Sequence, residues 1–289
     1  MTTELLAVVF GLAAALGWGA GDFSGGLASR RGDVYLVILV SQLFSIVLLI
    51  LLALLWGEPI PAGGDLLVGG LAGIIGAIGL VTLYRALATM AMGLVAPVTA
   101  VVAAGLPVIV AAFTEGLPAP QQFLGFAAAL AGVWFISRGS ERATGRAIRP
   151  RDLLLPLFAG ATFGLFFILI DQVSDRAVYW PLVAARTASI TLITATILAN
   201  PRRTRAPAGS PPLSRQMPLL ALVGVLETSG NVFFALATSA GRLDIASVLA
   251  SLYPAGTVLL AWLVLKERLA PRQWAGVAAS LLAIVLIAL

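Results

Sequence analysis

The chain has no cysteine and no histidine among its 289 residues. No disulfide can form, neither thiolate nor imidazole can hold a metal, and catalysis through those side chains is excluded. Charge is scarce too: Asp, Glu, Lys and Arg make up 11% of the residues, and Lys266 is the single lysine. It is not preceded by a phosphate-cradling glycine loop, so energy for any work on a solute must come from a gradient rather than a bound nucleotide. Ser24, within Gly21-Asp22-Phe23-Ser24-Gly25, lacks both an activating histidine and the spacing of a nucleophile elbow. The sequence therefore nominates no catalytic residue, no metal site and no cofactor.

What is abundant is apolar. Hydrophobic side chains account for 60% of the chain and the mean hydropathy is +1.03, the signature of an integral membrane protein. The apolar runs are near 20 residues long rather than alternating ten-residue segments, which selects an all-α fold over a barrel. Ten spans are predicted, at residues 5–27, 34–56, 66–87, 93–114, 122–137, 153–173, 181–199, 218–238, 245–265 and 273–289. The first four residues lack the basic region of a secretory signal, so the first span is expected to be retained.

A net charge of +5 could suggest a nucleic-acid partner, but the arginines sit in short loops, where membrane orientation explains them. Arg30 and Arg31, the run from Arg138 to Arg151, Arg202 to Arg215, and Lys266 to Arg272 follow odd-numbered spans. These loops are expected in the cytoplasm, with both termini outside. The localisation expected is a bacterial inner membrane, crossed many times.

The chain also repeats itself. Ala86-Leu87-Ala88-Thr89 recurs as Ala235-Leu236-Ala237-Thr238, the same offset carries Asp22 onto Asp171, and Pro120, Gln122 and Gly125 match Pro271, Gln273 and Gly276. The expected organisation is two five-helix repeats, at residues 1–145 and 146–289. An odd number of spans inserts the second copy upside down, and in such inverted repeats the substrate site lies near the bilayer midplane between the halves.

Ala14-Ala15-Leu16-Gly17-Trp18-Gly19 resembles the start of an EamA domain of the drug/metabolite transporter superfamily. The stretch from Ala246 through Pro254 to Glu267-Arg268-Leu269, Gln273 and Gly276 resembles the close of one. The first copy departs from this pattern, with Glu115-Gly116-Leu117 in place of the triplet. The resemblance implies a ten-helix carrier of small metabolites, with amino-acid exporters of the YddG type among the closer-looking members. It also implies cytoplasmic termini, against the arginine count.

Several residues within spans could carry the chemistry. Glu227 stands near the centre of its span with Asn231 one turn later, and an ionisable group at that depth usually faces a bundle interior or a water-filled path. It could exchange a proton, bind a substrate amine, or be hydrogen-bonded to Asn231 or a neighbouring helix and so hold the halves together. Arg186 could pair with Asp171 or Glu227, snorkel outward, or hold a substrate carboxylate. Asp22 and Asp171 are candidates for gates at opposite mouths, or plain solvated helix ends. Trp18, Tyr84 and Tyr253 offer aromatic surface to a substrate or to packing. Pro97, Pro107 and Pro254 should break spans four and nine and free carbonyls there. Gly17, Gly21 and Gly25 form a ridge for close helix approach.

The function expected is a secondary transporter, an exporter of small metabolites such as amino acids, working by alternating access at a midplane site. The alternatives are a passive channel or a non-transporting scaffold. Partners are a small-molecule substrate, the lipid bilayer and protons as coupling ion, in a monomer or homodimer.

Overall fold

The structure, a computed structural model, describes residues 3–90, 92–138, 153–200, 210–265 and 271–288. Apolar runs surrounded by lipid must satisfy their own backbone groups, and all regular structure in the described residues is helical. In chain order these helices are α1 (Thr3–Arg31), α2 (Val34–Leu55), α3 (Gly63–Thr89), α4 (Met92–Thr114), α5 (Pro120–Arg138) and α6 (Leu154–Ser174). There follow α7 (Tyr179–Ala199), α8 (Leu213–Ala240), α9 (Leu243–Ala250), α10 (Tyr253–Leu265) and α11 (Pro271–Ala288). Seven stretches among the described residues are long and apolar enough to cross a membrane: α1, α2, α3, α6, α7, α8, and Leu243–Val264 taken across α9 and α10. Residues 139–152, 201–209 and 266–270 lie outside the described residues, and with them most of the arginine-rich loops and the Glu267-Arg268-Leu269 triplet. The side chains of Pro97 and Gln273 do so as well.

The predicted ninth span is two helices. Α turn at Ser251 and Leu252 separates α9 from α10, and Pro254 occupies the first turn of α10, where its missing N–H costs nothing. Span four does not break in this way: α4 continues through Pro97 and Pro107. The carbonyl that Pro107 frees is that of Ala103, which lies 3.1 Å from where a Cβ on Gly164 of α6 would stand. Helix α6 packs closely on that turn through Gly164, and α4 runs on without a break.

Close approach is general. Gly73 of α3 sits against the Ala185 backbone of α7, and Gly17 of α1 against Gly230 of α8. Where lipid removes the usual hydrophobic drive between helices, such backbone contact supplies the dispersion energy of association. A Cβ on Gly73 would overlap the Ala185 carbonyl. Gly73→Ala should therefore lower the melting temperature of purified protein, by the equivalent of about 1–3 kcal/mol of overpacking. Gly105→Ala, with nothing within 4 Å of its Cβ, should not. Equal melting temperatures for the two would contradict the contact.

The packing repeats when α1, α2, α3, α4 and α5 are exchanged for α6, α7, α8, α9 with α10, and α11. Contact of α1 with α8 becomes that of α6 with α3, α3 with α7 becomes α8 with α2, and α4 with α6 becomes α9 and α10 with α1. The pairs α2 with α7 and α5 with α11 map onto themselves.

Side-chain contacts define two faces. At the acidic face the Glu58 carboxylate accepts the N–H groups of Val178, Tyr179 and Trp180 at 2.7, 2.9 and 2.9 Å, capping α7 from the other half of the chain. Asp65 pairs there with Arg176 at 2.6 Å. Arg242 reaches Asp244 at 2.9 Å and the carbonyls of Glu115 and Gly116. Burial pushes the Glu115 carboxyl up from its ordinary range, opposed by the Leu243 N–H. At the opposite, arginine face, Arg85 donates to the Tyr35 hydroxyl at 2.7 Å and Arg30 to the Leu87 carbonyl at 3.3 Å. Asp33 caps α2 there through the N–H groups of Tyr35 and Leu36.

Candidate functional site

A cavity lies among α1, α3, α4, α6, α7, α8 and α10, with about 680 Å³ of empty space counting the part open to its surroundings. Gly73, Gly76 and Ala77 line it from α3, with Gly73 packed on the Ala185 backbone and Gly76 on the Phe166 ring. Phe163, Phe166 and Phe167 of α6 form an aromatic wall. Trp18 stacks on Phe167 with centroids 5.1 Å apart, and Phe167 packs on Phe234 at 4.5 Å. Those rings fix the position of Trp18, whose Nε1–H donates to Asn231 Oδ1 at 3.2 Å.

The polar residues of the cavity are Asp22, Arg186, Glu227 and Asn231. Glu227 accepts a hydrogen bond from the Tyr84 hydroxyl at 3.3 Å. Its neighbour on α1 is Gly21, where a Cβ would lie 2.7 Å from Glu227 Oε1, and the Tyr84 ring fills the space beside Gly25. The predicted glycine ridge is thus a packing surface at Gly17 and Gly25 and clearance for a carboxyl at Gly21. The Glu227 partner proposed from spacing, Asn231, is bonded to Trp18 instead.

Asp22 is not at a mouth. Helix α1 runs nine residues beyond it to Arg31, roughly 13 Å at 1.5 Å per residue, and Asp22 is buried against the cavity. Asp171 stands three residues before the end of α6 at the acidic face, half-buried, where its carbonyl accepts from Ser174. Arg186 pairs with neither Asp171 nor Glu227 and does not snorkel. Among the described residues the ion pairs are those of Arg176 with Asp65 and Arg242 with Glu115 and Asp244, all at the acidic face. Arg186 instead donates from Nε to Ser45 Oγ at 2.9 Å, and Ser45 shares a 2.5 Å hydrogen bond with Thr228.

Tyr253, at the start of α10, lines the cavity and donates to the Ala96 carbonyl at 3.1 Å, tying the broken span to α4. The cavity thus gathers Trp18, Asp22, Arg186, Glu227, Asn231 and Tyr253, with Tyr84 one contact away and Asp171 remote. Pro107 and Pro254 are buried in the wall helices, outside the lining. The sequence reading missed the Phe163–Phe167 wall and the Arg186 support from Ser45 and Thr228. A signal existed for the second: in an otherwise leucine-rich α2, Ser45 follows Ser41 by four residues and Gln42 by three, which puts it on a face with each.

Residues 151–289 match the EamA-like transporter family. A solved structure described only as "Crystal structure of protein" is similar at 18% identity with a TM-score of 0.76, covering 98% of this chain and 98% of its own. At that identity the likeness shows the fold alone, and it shows it from end to end. No curated protein matches the chain. Residues 151–289 form an EamA-like transporter family domain, of a kind found in the multi-pass membrane transporters of the drug/metabolite transporter superfamily.

Proposed function

We propose that the protein is a secondary transporter of small amphipathic metabolites, amino acids among them, working by alternating access at the central cavity. The observation that carries this reading is the convergence of Asp22, Arg186, Glu227 and Asn231 on one aromatic-walled cavity built from helices of both halves of the chain. Such a site has an apolar wall for a hydrocarbon body, a guanidinium for an acid and two carboxyls for an amine or a proton. Ten spans in two inverted repeats, residues 1–145 and 146–289, fit the exchange symmetry of the packing. In that scheme, rocking one half against the other opens the cavity to each face in turn. The cross-half contacts of Glu58 and Arg242 make the acidic face the closed one, and a proton taken up at Glu227 couples the cycle to a gradient.

A substrate screen on purified protein in liposomes, with pH and sodium gradients imposed separately, tests the reading. Accumulation of an amino acid or related amphiphile should follow one of the gradients. Movement of no compound under either gradient would overturn it.

The arginine bias supports an outside location for the acidic face, and export is the direction proposed. Because the chain has no cysteine, a single Ile60→Cys, at an exposed position between α2 and α3, gives a background-free reporter. It should react with an impermeant maleimide on intact cells. Reaction only after permeabilisation would reverse the orientation.

A further inference from the structure

Four buried polar atoms have no hydrogen-bond partner among the described residues: Arg186 Nη2, from a side chain that lines the cavity, both amide atoms of Gln42, and Ser189 Oγ. Gln42 is 3% exposed and Ser189 1%, so bulk water does not serve them. Their positions bring them together. Arg186 of α7 touches Ser45 of α2, and Ser189 and Gln42 each lie three residues further toward the arginine face on these two packed helices. Beyond them Ile193 and Ile38 belong to one buried apolar cluster with Leu83 and Leu220, none more than 2% exposed. The group is therefore a set of polar side chains closed in by apolar packing, of which Arg186 alone lines the central cavity.

Burying a donor without a partner costs free energy, and native structures rarely leave one so. Here three groups able to donate stand within about one helical turn of the Arg186–Ser45 contact on two packed helices: a guanidinium Nη2, a primary amide and a hydroxyl. Planar oxyanions match that set, since a carboxylate offers two oxygens and about four lone-pair sites, and the guanidinium supplies the charge. The obligate acceptor, Gln42 Oε1, is not bonded to the Ser189 hydroxyl and is left for a ligand N–H or O–H. The aromatic wall on the cavity side fits a hydrocarbon body attached to the acid.

We propose that Gln42, Ser189 and the free edge of Arg186 form the subsite for the carboxylate of an amphipathic monocarboxylic acid, whose body lies against Phe166, Phe167 and Trp18. This rests on the transporter reading of the same cavity and names its substrate class. Gln42 and Ser189 are its specificity residues.

The test is direct binding to the purified full-length protein in nanodiscs, with 3-phenylpropionate, its methyl ester and phenethylamine as probes. The parent should bind the acid at least tenfold more tightly than the ester. Gln42→Leu and Ser189→Ala should each weaken the acid about tenfold, the loss expected for a hydrogen bond to a charged group, with phenethylamine unchanged. Gln42→Leu should also hold or raise the melting temperature, because it removes two unpaired polar atoms, whereas a structural role would lower it. Gln42→Glu, with a like charge at the subsite, should abolish acid binding. Failure of the parent to prefer the acid, or acid binding that survives Gln42→Leu and Ser189→Ala, overturns the subsite. If the parent transports amines but does not prefer acids, the subsite falls and the transporter stands. If it binds acids through Gln42 yet transports nothing, the transporter falls and the subsite stands.

Discussion

Glu227→Gln is expected to yield folded protein whose transport no longer responds to an imposed proton gradient. The substitution keeps the shape of a side chain that already fits beside Gly21, and the amide oxygen can still accept from the Tyr84 hydroxyl. What is lost is the exchangeable proton. Glu227 lines the cavity with Asp22 and Arg186, and among the described residues neither acid has an ion-pair partner within 4.0 Å, so the guanidinium acts on Glu227 across the cavity rather than by direct pairing. A carboxyl placed in a membrane interior without a directly paired cation is the group a proton-coupled cycle requires. Gradient-driven accumulation should fall by at least tenfold while exchange without a gradient persists. Accumulation equal to that of the parent under every gradient and for every substrate would remove Glu227 from the functional centre.

Arg186→Gln is expected to produce the largest loss of affinity for acids. The guanidinium is anchored at Nε by Ser45, which is held in turn by Thr228, so its orientation is set before any ligand arrives. Its Nη2 has no protein partner. A charged hydrogen bond contributes about 1.5–3 kcal/mol, and the substitution removes the charge as well, so acids should weaken by roughly 30-fold or more. Esters and amides of the same compounds should change little. Arg186→Lys should rescue only part of the loss, since an ammonium cannot bond Ser45 and a carboxylate in the same fork. Equal weakening of acids and esters would instead mark Arg186 as a structural support for α2 and α7.

Much of this architecture was legible because lipid leaves a chain so few options. Long apolar runs had to be helices, and α2, α6 and α7 begin and end within a few residues of where hydropathy set them. Glu227 and Arg186 stood out because a charge inside a span is costly wherever it is. Asp22 was misjudged because hydropathy ended the first span at Leu27, whereas α1 extends to Arg31. The break at Ser251 was readable from Pro254, but the same logic overreached at Pro107, where Gly164 of α6 packs on the helix. Gln42 and Ser189 were passed over because a neutral polar residue in a span has no visible cost until the structure shows whether it has a partner. The phenylalanine wall was invisible for a related reason: three phenylalanines on an apolar helix look alike whether they face lipid or a cavity.

Counterflow in proteoliposomes is the most direct measurement of the central claim. Vesicles loaded with unlabelled substrate from the screen and diluted into trace labelled substrate should take the label up transiently above equilibrium, with a rate that saturates. That overshoot is the mark of a site exposed to one side at a time. Label that merely equilibrates, at a rate linear in concentration, would contradict alternating access and leave a passive pore.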